Sequence, residues 1–373
     1  MTTTTIGTIG ILSSSTPGSP PFSGEGYARR LAMAGRKYGI QVVVFCPDGV
    51  PEGQESIHGY IFSNGAWHAV TIPFPDIVYD RCFPQRGSEY RAAARLLADA
   101  PTGKKWILWS RGLPGKGQVD QVLRKEPGLL PFLPPTAVYR GSSQLLRSLE
   151  KYDGELFMKP MSGSQGKNTL RVTRHAADGS LTIRGRSAGN LPFVKHFDDA
   201  RCGLAWIRRF TGERSYLIQP FLHLYSADGA PFDVRVLMQK NETGSWMHTG
   251  MALRLGNPDS ITSNLHGGGK PLSVLPFLTE QFGADRAEHI RDRLHNLSEK
   301  IPPILESRYG RLGELGIDFG IDTKGRIWLL EVNSKPGRTS FRHIGEPGSD
   351  VLATENPLRY ARYLLLRQLR RVN

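Results

Sequence analysis

The chain has 373 residues, a formal net charge of +14, 39% hydrophobic residues and 22% charged residues. Its length exceeds a single hydrophobic core, so two or three packed units are expected. The composition excludes general disorder, and no run approaches the roughly twenty apolar residues of a membrane helix. Because the basic residues are scattered, a nucleic-acid partner is not favoured, and acidic substrates or nucleotide phosphates are the expected anions.

Two further features bear on the cellular setting. Residues 1–5 are polar and lack the basic and apolar order of a secretory signal, so cytoplasmic residence is expected. Cys46, Cys82 and Cys202 are odd in number and lack metal-ligand spacing, which predicts reduced, partly buried thiols. The sequence does not indicate an oligomeric state.

The first 130 residues predict an α/β unit. Strand, loop, helix and strand in this order begin a βαβ unit with a parallel sheet. The loop at residues 13–24 follows the first strand, at the edge where open α/β sheets bind ligands. It lacks the GxGxxG order, so a plain connection is the alternative. Strands are expected at residues 6–12, 41–45 and 76–80, and helices at residues 26–38 and 89–98.

A Pro- and Gly-rich stretch at residues 113–135 predicts a domain junction, with the boundary near Leu130. Beyond it, Pro302 and Pro303 are expected to interrupt a mainly helical region. Leucines and arginines at helical spacing predict an amphipathic terminal helix docked on the body. Helices are expected at residues 142–152 and 278–309, and strands at residues 155–160, 169–174, 180–184, 215–219, 233–240 and 246–255.

A lysine strand precedes a glycine-rich turn. The strand at residues 155–160 carries Lys159, and strand alternation resumes at residue 169. The turn is not a Walker loop, which would read GxxxxGK[ST] and begin a helix. Strand, glycine loop and strand can instead form a flap whose backbone N–H groups approach phosphates. An ordinary hairpin is the alternative, and Lys159 favours the flap. The flap residues are Ser162, Gly163, Ser164, Gln165 and Gly166.

Charged residues occupy a probable hairpin further along the chain, in the strands at 233–240 and 246–255. Arg235 and Arg254 can stabilise a transferring γ-phosphoryl group, and paired surface arginines are the alternative. A second small-residue loop, which includes Asn264 and His266, can close on phosphates; His266 is as readily structural as catalytic. The strand ending at Pro220 has backbone groups free for a planar base, and without context it is an edge strand.

Three hard oxygen ligands lie on two adjacent strands near the carboxyl end. Asp318 sits in an apolar strand, and Glu331 and Asn333, two residues apart, share one face of the next strand. This trio suits a magnesium ion that holds nucleotide phosphates. A hairpin with a solvated polar face is the alternative, but the apolar neighbours would make an uncompensated carboxylate costly to bury.

These segments, in this order, resemble the ATP-grasp superfamily over roughly residues 133–338. The resemblance rests on FMKP with SGSQGKN, IQPF, DVRV, ALRLG with SNLHGGG, and GIDFGID with LLEVNSKPG. The last two are similar to ribosomal-protein glutamate ligases, and the layout looks most like YheC/YheD-type spore-coat-associated ATP-grasp proteins. It implies an α+β ATP-grasp fold, in which two α+β subdomains grip ATP behind an α/β pre-ATP-grasp domain. The domains would span residues 1–130 and 131–373, the latter split into a flap-bearing subdomain at 131–218 and a metal-binding subdomain at 219–373.

The resemblance also implies a ligand set of ATP with Mg²⁺, as two ions, or with Mn²⁺. Lys159 would hold the α- and β-phosphates, with Arg140 as an earlier basic ligand. Asp318, Glu331 and Asn333 would bind the metal. Two positions depart from the family: Gly316 stands where some amino-acid ligases carry an arginine, and Lys335 replaces a small residue. The adenine contacts would be Gln219, Phe221 and Leu222.

The function implied is an ATP-dependent carboxylate–amine ligase that forms an acyl phosphate. Arg254 would stabilise the oxyanion, and Arg338 and Arg342 could anchor a substrate carboxylate, with surface arginines as the alternative. The partners would be small-molecule or peptide carboxylates and amines, without a membrane. Two rival functions are an ATP-binding component of a spore coat or similar assembly without ligase turnover, and an ATP-grasp kinase.

Overall fold

The computed structural model describes residues 5–50, 56–83, 93, 106–161, 163, 166–258, 260–261, 263, 268–344 and 348–369. This part of the chain forms three β-sheets, one in each third of the sequence. None of the helices in the described ranges is long and apolar enough to cross a bilayer. Cys46 and Cys82 are buried thiols, whereas Cys202 is exposed, so the expectation of burial is wrong for Cys202.

The amino-terminal sheet has the order β4-β3-β2-β1-β5-β6, with parallel pairing from β2 through β6. This confirms the predicted βαβ unit, because α1 connects the parallel strands β1 and β2. The expected helix at residues 89–98 lies outside the described residues, apart from Ala93. The elements are β1 (Gly7–Leu12), α1 (Glu25–Gly35), β2 (Ile40–Phe45), β3 (Ser56–Ser63), β4 (Ala66–Pro73), β5 (Ile77–Asp80) and β6 (Ile107–Leu108).

The antiparallel hairpin β3–β4 was not among the expected strands, although the sequence carries a signal for it. Asn64 and Gly65 form its two-residue turn with φ angles of 50° and 81°. Positive φ at both central residues gives the turn that matches strand twist, and Asn-Gly is the dipeptide that adopts it most readily. The hairpin extends the sheet beyond β2, on the side away from β5.

The middle sheet has the order β11-β10-β9-β8-β12-β7 and is antiparallel throughout. Leu145 and Leu149 of α3 and Leu204 and Ile207 of α4 share its core. Strand β12 lies between β8 and β7, so its interpretation as an edge strand is wrong. The elements are β7 (Ala137–Val138), α3 (Ser142–Lys151), β8 (Glu155–Pro160), β9 (Leu170–Arg174), β10 (Leu181–Arg186), β11 (Pro192–Phe197), α4 (Ala200–Thr211) and β12 (Tyr216–Pro220).

The carboxyl-terminal sheet has the order β15-β14-β13-β16-β17. Its helix α6 runs through Pro302 and Pro303 without a break, so the expected interruption is wrong. Buried Ile301 and Leu305 anchor this part of α6 in the core and offset the backbone bonds that proline removes. The elements are β13 (Phe232–Lys240), β14 (Trp246–Leu255), β15 (Lys270–Leu272), α5 (Val274–Phe282), α6 (Ala284–Tyr309), β16 (Glu314–Ile321), β17 (Ile327–Asn333), α7 (Thr339–Ile344) and α8 (Ser349–Leu369).

Two helices connect these units. The terminal helix α8 packs Leu358 and Leu365 into the core of the amino-terminal sheet, which confirms the predicted docked helix. Helix α2 (Lys116–Leu123) packs Val119 and Leu123 into the core of the carboxyl-terminal sheet, although it precedes the proposed boundary near Leu130. The division into domains therefore stays a prediction.

The two faces of the carboxyl-terminal sheet differ in chemistry. Val234 and Val236 of β13 belong to the hydrophobic core beneath α6. Asp233 and Arg235 alternate with them and therefore point to the opposite face. This polar face carries the charged residues of the candidate site.

Candidate functional site

Charged residues face one another across four neighbouring strands of the polar face. Arg235 on β13 is directly opposite Asp318 on β16, and Asp318 is directly opposite Glu331 on β17. Arg254 on β14 is opposite Asp233 on β13. Because directly opposed side chains in a sheet lie on the same face, the pairing alone brings these groups into contact.

Asp318 is held by two guanidinium groups. Its carboxylate accepts a bidentate pair of bonds from Arg235, and the Nη2–Oδ2 bond measures 2.8 Å. Arg254 Nη2 lies 3.0 Å from the same Oδ2 atom. Burial alone would raise the pKa of Asp318, but the two arginines outweigh it and lower the pKa to about 2. Asp318 is therefore ionised at neutral pH.

Arg254 is anchored on its other side by Asp233, whose carboxylate accepts from Nε at 2.5 Å and from Nη2 at 2.7 Å. The nearby carboxylates raise the pKa of Arg254 against its burial. Both Arg235 and Arg254 are buried. The alternative that they are paired surface arginines is therefore wrong, although they are paired.

Glu331 has a cationic partner that the sequence analysis missed. Lys116 Nζ, in the first turn of α2, lies 2.7 Å from Glu331 Oε2. Lys116 belongs to the Pro- and Gly-rich stretch that was interpreted as a junction, and no local pattern marks it as a site residue. Asn333, the third expected metal ligand, is opposite Gly316, in the pair two residues along each strand from Asp318 and Glu331.

The donor set fits a magnesium ion. The facing carboxylates of Asp318 and Glu331, with the Asn333 amide nearby, provide the hard oxygen ligands that Mg²⁺ prefers. In the described ranges no group of three or more His, Cys, Asp or Glu side chains is placed to hold a metal. Two carboxylates and one amide therefore suit an ion that completes its coordination with water and phosphate oxygens.

Lys159 faces this site from the middle sheet. Its Nζ donates to the carbonyl of Leu330 at 3.4 Å, where a β-bulge interrupts the pairing of β16 with β17. Bulges of this kind occur often beside functional sites because they re-aim nearby groups. Burial first, and the neighbouring charge of Lys116 second, lower the pKa of Lys159 to about 8.

Between the two sheets lies a cavity of about 30 Å³. Pockets for drug-sized ligands have volumes of roughly 300 Å³ or more, so this cavity as it stands is smaller than a nucleotide site. The walls of the cavity come from α2, the middle sheet and β17. The lining residues include Lys116, Leu133, Thr136, Lys159, Leu217, Gln219, Leu330 and Glu331.

The predicted adenine residues lie at the end of β12. Gln219 is buried, lines the cavity and donates from Nε2 to Thr136 Oγ1 at 2.8 Å. Phe221 follows β12, with the Arg171 guanidinium 4.0 Å from its ring centroid. Its backbone N–H donates to the Glu155 carbonyl at 3.2 Å, and the Leu222 carbonyl accepts from the backbone of residue 224. Adenine contact by these residues stays a prediction.

The remaining expected phosphate ligands are less well placed or lie outside the described residues. Arg140 is exposed and lines a separate open cavity with the first turn of α3. Gly163 and Gly166 have φ angles of 145° and 69°, which fits a glycine turn. Outside the described residues lie Ser162, Ser164, Gln165, Asn264 and His266.

Arg338 does not face a substrate. It is buried, donates to the Glu314 carboxylate and bonds Tyr79 Oη at 2.8 Å, so its expected role as a carboxylate anchor is wrong. Burial pushes the pKa of Glu314 up, but Arg338 and then Arg81 outweigh it and lower that pKa. The side chain of Arg342 lies outside the described residues.

The glycine at position 316 makes room for an arginine from the next strand. A β-carbon on Gly316 would come within 3.3 Å of Arg235 Nη1 and 2.8 Å of Pro336 Cβ. The space above Gly316 is therefore filled by Arg235. A guanidinium group is present beside Asp318 although residue 316 does not supply it.

A lysine strand with a glycine turn on one sheet, facing a carboxylate pair on another, defines this chain as an ATP-grasp protein. The family model for YheC/D-like ATP-grasp matches residues 106–364, and the chain belongs to that family. The expected α+β ATP-grasp fold is thereby confirmed.

Two relatives and one solved structure illustrate the similarity. The chain is 27% identical to the endospore coat-associated protein YheC of Bacillus subtilis (strain 168) over 344 residues, 92% of this chain and 93% of YheC. It is 30% identical to YheD of the same organism over 311 residues, 83% of this chain and 67% of YheD. The crystal structure of D-cycloserine synthetase DcsG matches with a TM-score of 0.55 at 13% identity, covering 97% of this chain and 99% of DcsG, which shows the fold alone.

Proposed function

We propose that the protein is an ATP- and Mg²⁺-dependent carboxylate–amine ligase that forms an amide through an acyl phosphate. The observation that carries the proposal is the ionised Asp318 opposite Glu331, with Lys159 facing them across the cleft. Membership of the ATP-grasp family supports the use of ATP and a divalent metal. The name of DcsG, a synthetase with the same fold, supports bond formation as the reaction class.

The residues divide into three tasks. Asp318, Glu331 and Asn333 would hold Mg²⁺, which when bound neutralises charge on the β- and γ-phosphates. Lys159 would contact the α- and β-phosphates with a cationic ammonium group. Lys116, whose ammonium group pairs with Glu331 in the free protein, would supply a second ammonium group near the phosphates.

The arginines serve the reacting groups. A substrate carboxylate oxygen attacks the γ-phosphorus and ADP leaves, which gives an acyl phosphate. An amine nitrogen then attacks the acyl carbon, phosphate leaves, and the nitrogen releases a proton to water. Arg254 would stabilise the oxyanion of the tetrahedral intermediate. Arg235, above Gly316, lies beside Arg254 because both arginines contact Asp318.

A rival function is an ATP-binding component of a coat or similar assembly without turnover. It is favoured by the names of the relatives YheC and YheD, both of which are endospore coat-associated proteins. A kinase, which stops after phosphoryl transfer, would use the same phosphate ligands. For the ligase we propose cytoplasmic residence and small-molecule or peptide carboxylates and amines as partners.

The test is ADP release with Mg²⁺, ATP and panels of carboxylates and amines, with Glu331→Gln as the inactive control. ADP and an amide product that both require a carboxylate and an amine support the ligase. A stable phosphorylated product identifies a kinase. ATP binding without turnover across the panels supports the assembly component and contradicts the ligase.

A further inference from the structure

The outer strand β4 of the amino-terminal sheet presents an unprotected edge. Its eight residues pair with β3 on one side, and no other strand in the described ranges pairs with them. An unpaired strand edge invites a further strand, and proteins usually protect it by shortness, charge, proline or a covering element. Residues 66–73 include no Lys, Arg, Asp or Glu, and their one proline, Pro73, is the last residue. Most of this edge therefore lacks the usual protection.

The other outer strands of the three sheets are protected. Strands β6 and β7 have two residues each, and β15 has three. Strand β11 begins with Pro192 and carries Lys195. Strand β17 carries Glu331, whose carboxylate is paired with Lys116 of α2. In the part of the chain that the structure describes, β4 is thus the exception among the outer strands.

The hairpin turn fixes which backbone groups of β4 point outward. Ser63 and Ala66 flank the two-residue turn, so they exchange both backbone bonds. Bonded and non-bonded pairs alternate from there along an antiparallel ladder. The N–H and C=O groups of Trp67, Ala69 and Thr71 therefore point away from β3. Within the described ranges, residues 66–73 make no backbone bond outside the hairpin ladder.

The outward groups of β4 are complementary to those of a second copy of the chain. In an antiparallel pair centred on Ala69, this residue is opposite its own counterpart, and Trp67 is opposite Thr71 of the second copy. Each of these pairs exchanges both backbone bonds, so all three outward N–H groups gain an acceptor. His68 is opposite Val70 of the second copy in the non-bonded pairs between them. One strand thus carries both halves of the contact.

Charge also favours this edge for contact between two copies. The chain has a formal net charge of +14, so two copies repel each other in most orientations. A contact through residues 66–73 brings no formally charged side chain of one β4 strand opposite one of the other. A nucleic acid or an acidic segment would instead need basic residues on the edge, which β4 lacks. The edge therefore suits a neutral extended strand, and the second copy supplies one.

We propose that the protein forms a two-fold symmetric dimer in which the β4 strands of two copies pair in antiparallel fashion about Ala69. One continuous sheet would then run through both copies. The candidate site is built from the middle and carboxyl-terminal sheets and from α2, so this inference does not rest on the proposed function.

Sedimentation equilibrium of the full chain tests the contact. The wild type is expected to sediment as a dimer of the 41.4 kDa chain. Ala69→Lys and Ala69→Glu each place like charges opposite each other, which should weaken the dimer at least about tenfold. An equimolar mixture of these two variants should dimerise again. Ala176→Lys, in the exposed turn between β9 and β10, is the matched control and should dimerise as the wild type does.

Three outcomes of sedimentation contradict the proposal. A monomeric wild type overturns it and would leave β4 to a strand of another protein. Dimers of Ala69→Lys and Ala69→Glu that are as stable as the wild-type dimer place the contact elsewhere on the surface. A mixture of the two variants that stays monomeric shows that residue 69 does not meet its counterpart. Equal unfolding midpoints of the wild type and both variants confirm that the variants are folded.

Cysteine cross-linking tests the register without a change of charge. Bonded residues directly opposite each other have Cα atoms about 5.5 Å apart, within the range of a disulfide. In a Cys202→Ser background, in which the remaining native thiols are buried, Ala69→Cys is expected to give a disulfide-linked dimer on mild oxidation. Thr71→Cys is the matched control, because its two copies would be offset by about 13 Å along the strands. Equal linking of both variants, or linking of neither, overturns the pairing about Ala69.

Discussion

Strand β16 presents two carboxylates with similar partners and different surroundings. Glu314 and Asp318 are four residues apart, point to the same face, and each receives two guanidinium groups. The side chain of Glu314 is 0% exposed, and its arginines come from the residue after β5 and from the segment after β17. The side chain of Asp318 is 10% exposed, and its arginines come from neighbouring strands of the same sheet.

The comparison shows that the position of the arginine partners in the fold decides whether a ligand can replace them. The Glu314 cluster joins the amino-terminal and carboxyl-terminal sheets, and its carboxylate is 0% exposed, so no ligand reaches it from solvent. The Asp318 cluster lies beside Glu331 on the face that Lys159 approaches. A metal and a phosphate can therefore exchange partners there while the sheet stays intact. We assign the first cluster to cohesion and the second to ligand exchange.

The largest expected effect is the loss of stability in Glu314→Gln. The buried Arg338 guanidinium and the half-buried Arg81 guanidinium would lose their charged partner, which costs about 3–5 kcal/mol in free energy of unfolding. Asp318→Asn should cost less, because Arg254 keeps its bonds to Asp233. Urea denaturation measures both, with exposed Glu299→Gln as the control. Equal losses in the two variants would remove the distinction between the clusters.

The next effect concerns turnover. Glu331→Gln is expected to lower Mg²⁺-dependent ADP release at least about 100-fold, since it replaces a proposed direct ligand of the metal. Loss of a residue that only supports a metal ligand already lowers activity by about 10- to 100-fold. The unfolding midpoint should change little, because Glu331 is half-buried at the cleft. Unchanged ADP release at saturating Mg²⁺ would rule Glu331 out as a metal ligand.

A smaller effect is expected at Lys159. With a pKa of about 8 in the free protein, its ammonium charge is present below that pH and is lost as pH rises through it. ATP binding should therefore weaken from about pH 7 to about pH 9. Calorimetry should show this slope in the wild type, a flat profile in Lys159→Arg, and about tenfold weaker binding in Lys159→Ala. A wild-type profile without a slope would contradict the assignment.

The smallest effect separates the two cations of the cleft. Lys116→Met should free Glu331 and raise the affinity of the nucleotide-free protein for Mn²⁺ by a few-fold, on the order of one surface ion pair. Electron paramagnetic resonance of free Mn²⁺ measures this directly. The same variant should bind ATP more weakly. Unchanged affinity for both Mn²⁺ and ATP would contradict a role of Lys116 in metal and nucleotide binding.

Sequence reasoning succeeded where the pattern is local. The hairpin carrying Asp318 and Glu331 could be predicted from strand alternation and a glycine turn, and Lys159 from its strand and loop. Partners that are distant in sequence could not be predicted: Glu314 meets Arg81 across 233 positions, and Lys116 of α2 meets Glu331 of β17. For Arg338 the sequence left a carboxylate anchor and a surface arginine open, because its burial against Tyr79 depends on tertiary packing.

The central claim is that β16 and β17 present oxygen ligands to a cation that carries the nucleotide phosphates. A crystal grown with Mn²⁺ and a nonhydrolysable ATP analogue tests it through the anomalous signal of manganese. We expect a peak at about 2.2 Å from carboxylate oxygens of both Asp318 and Glu331, with phosphate oxygens in the same shell. A bound analogue whose manganese lies away from both carboxylates would contradict the account.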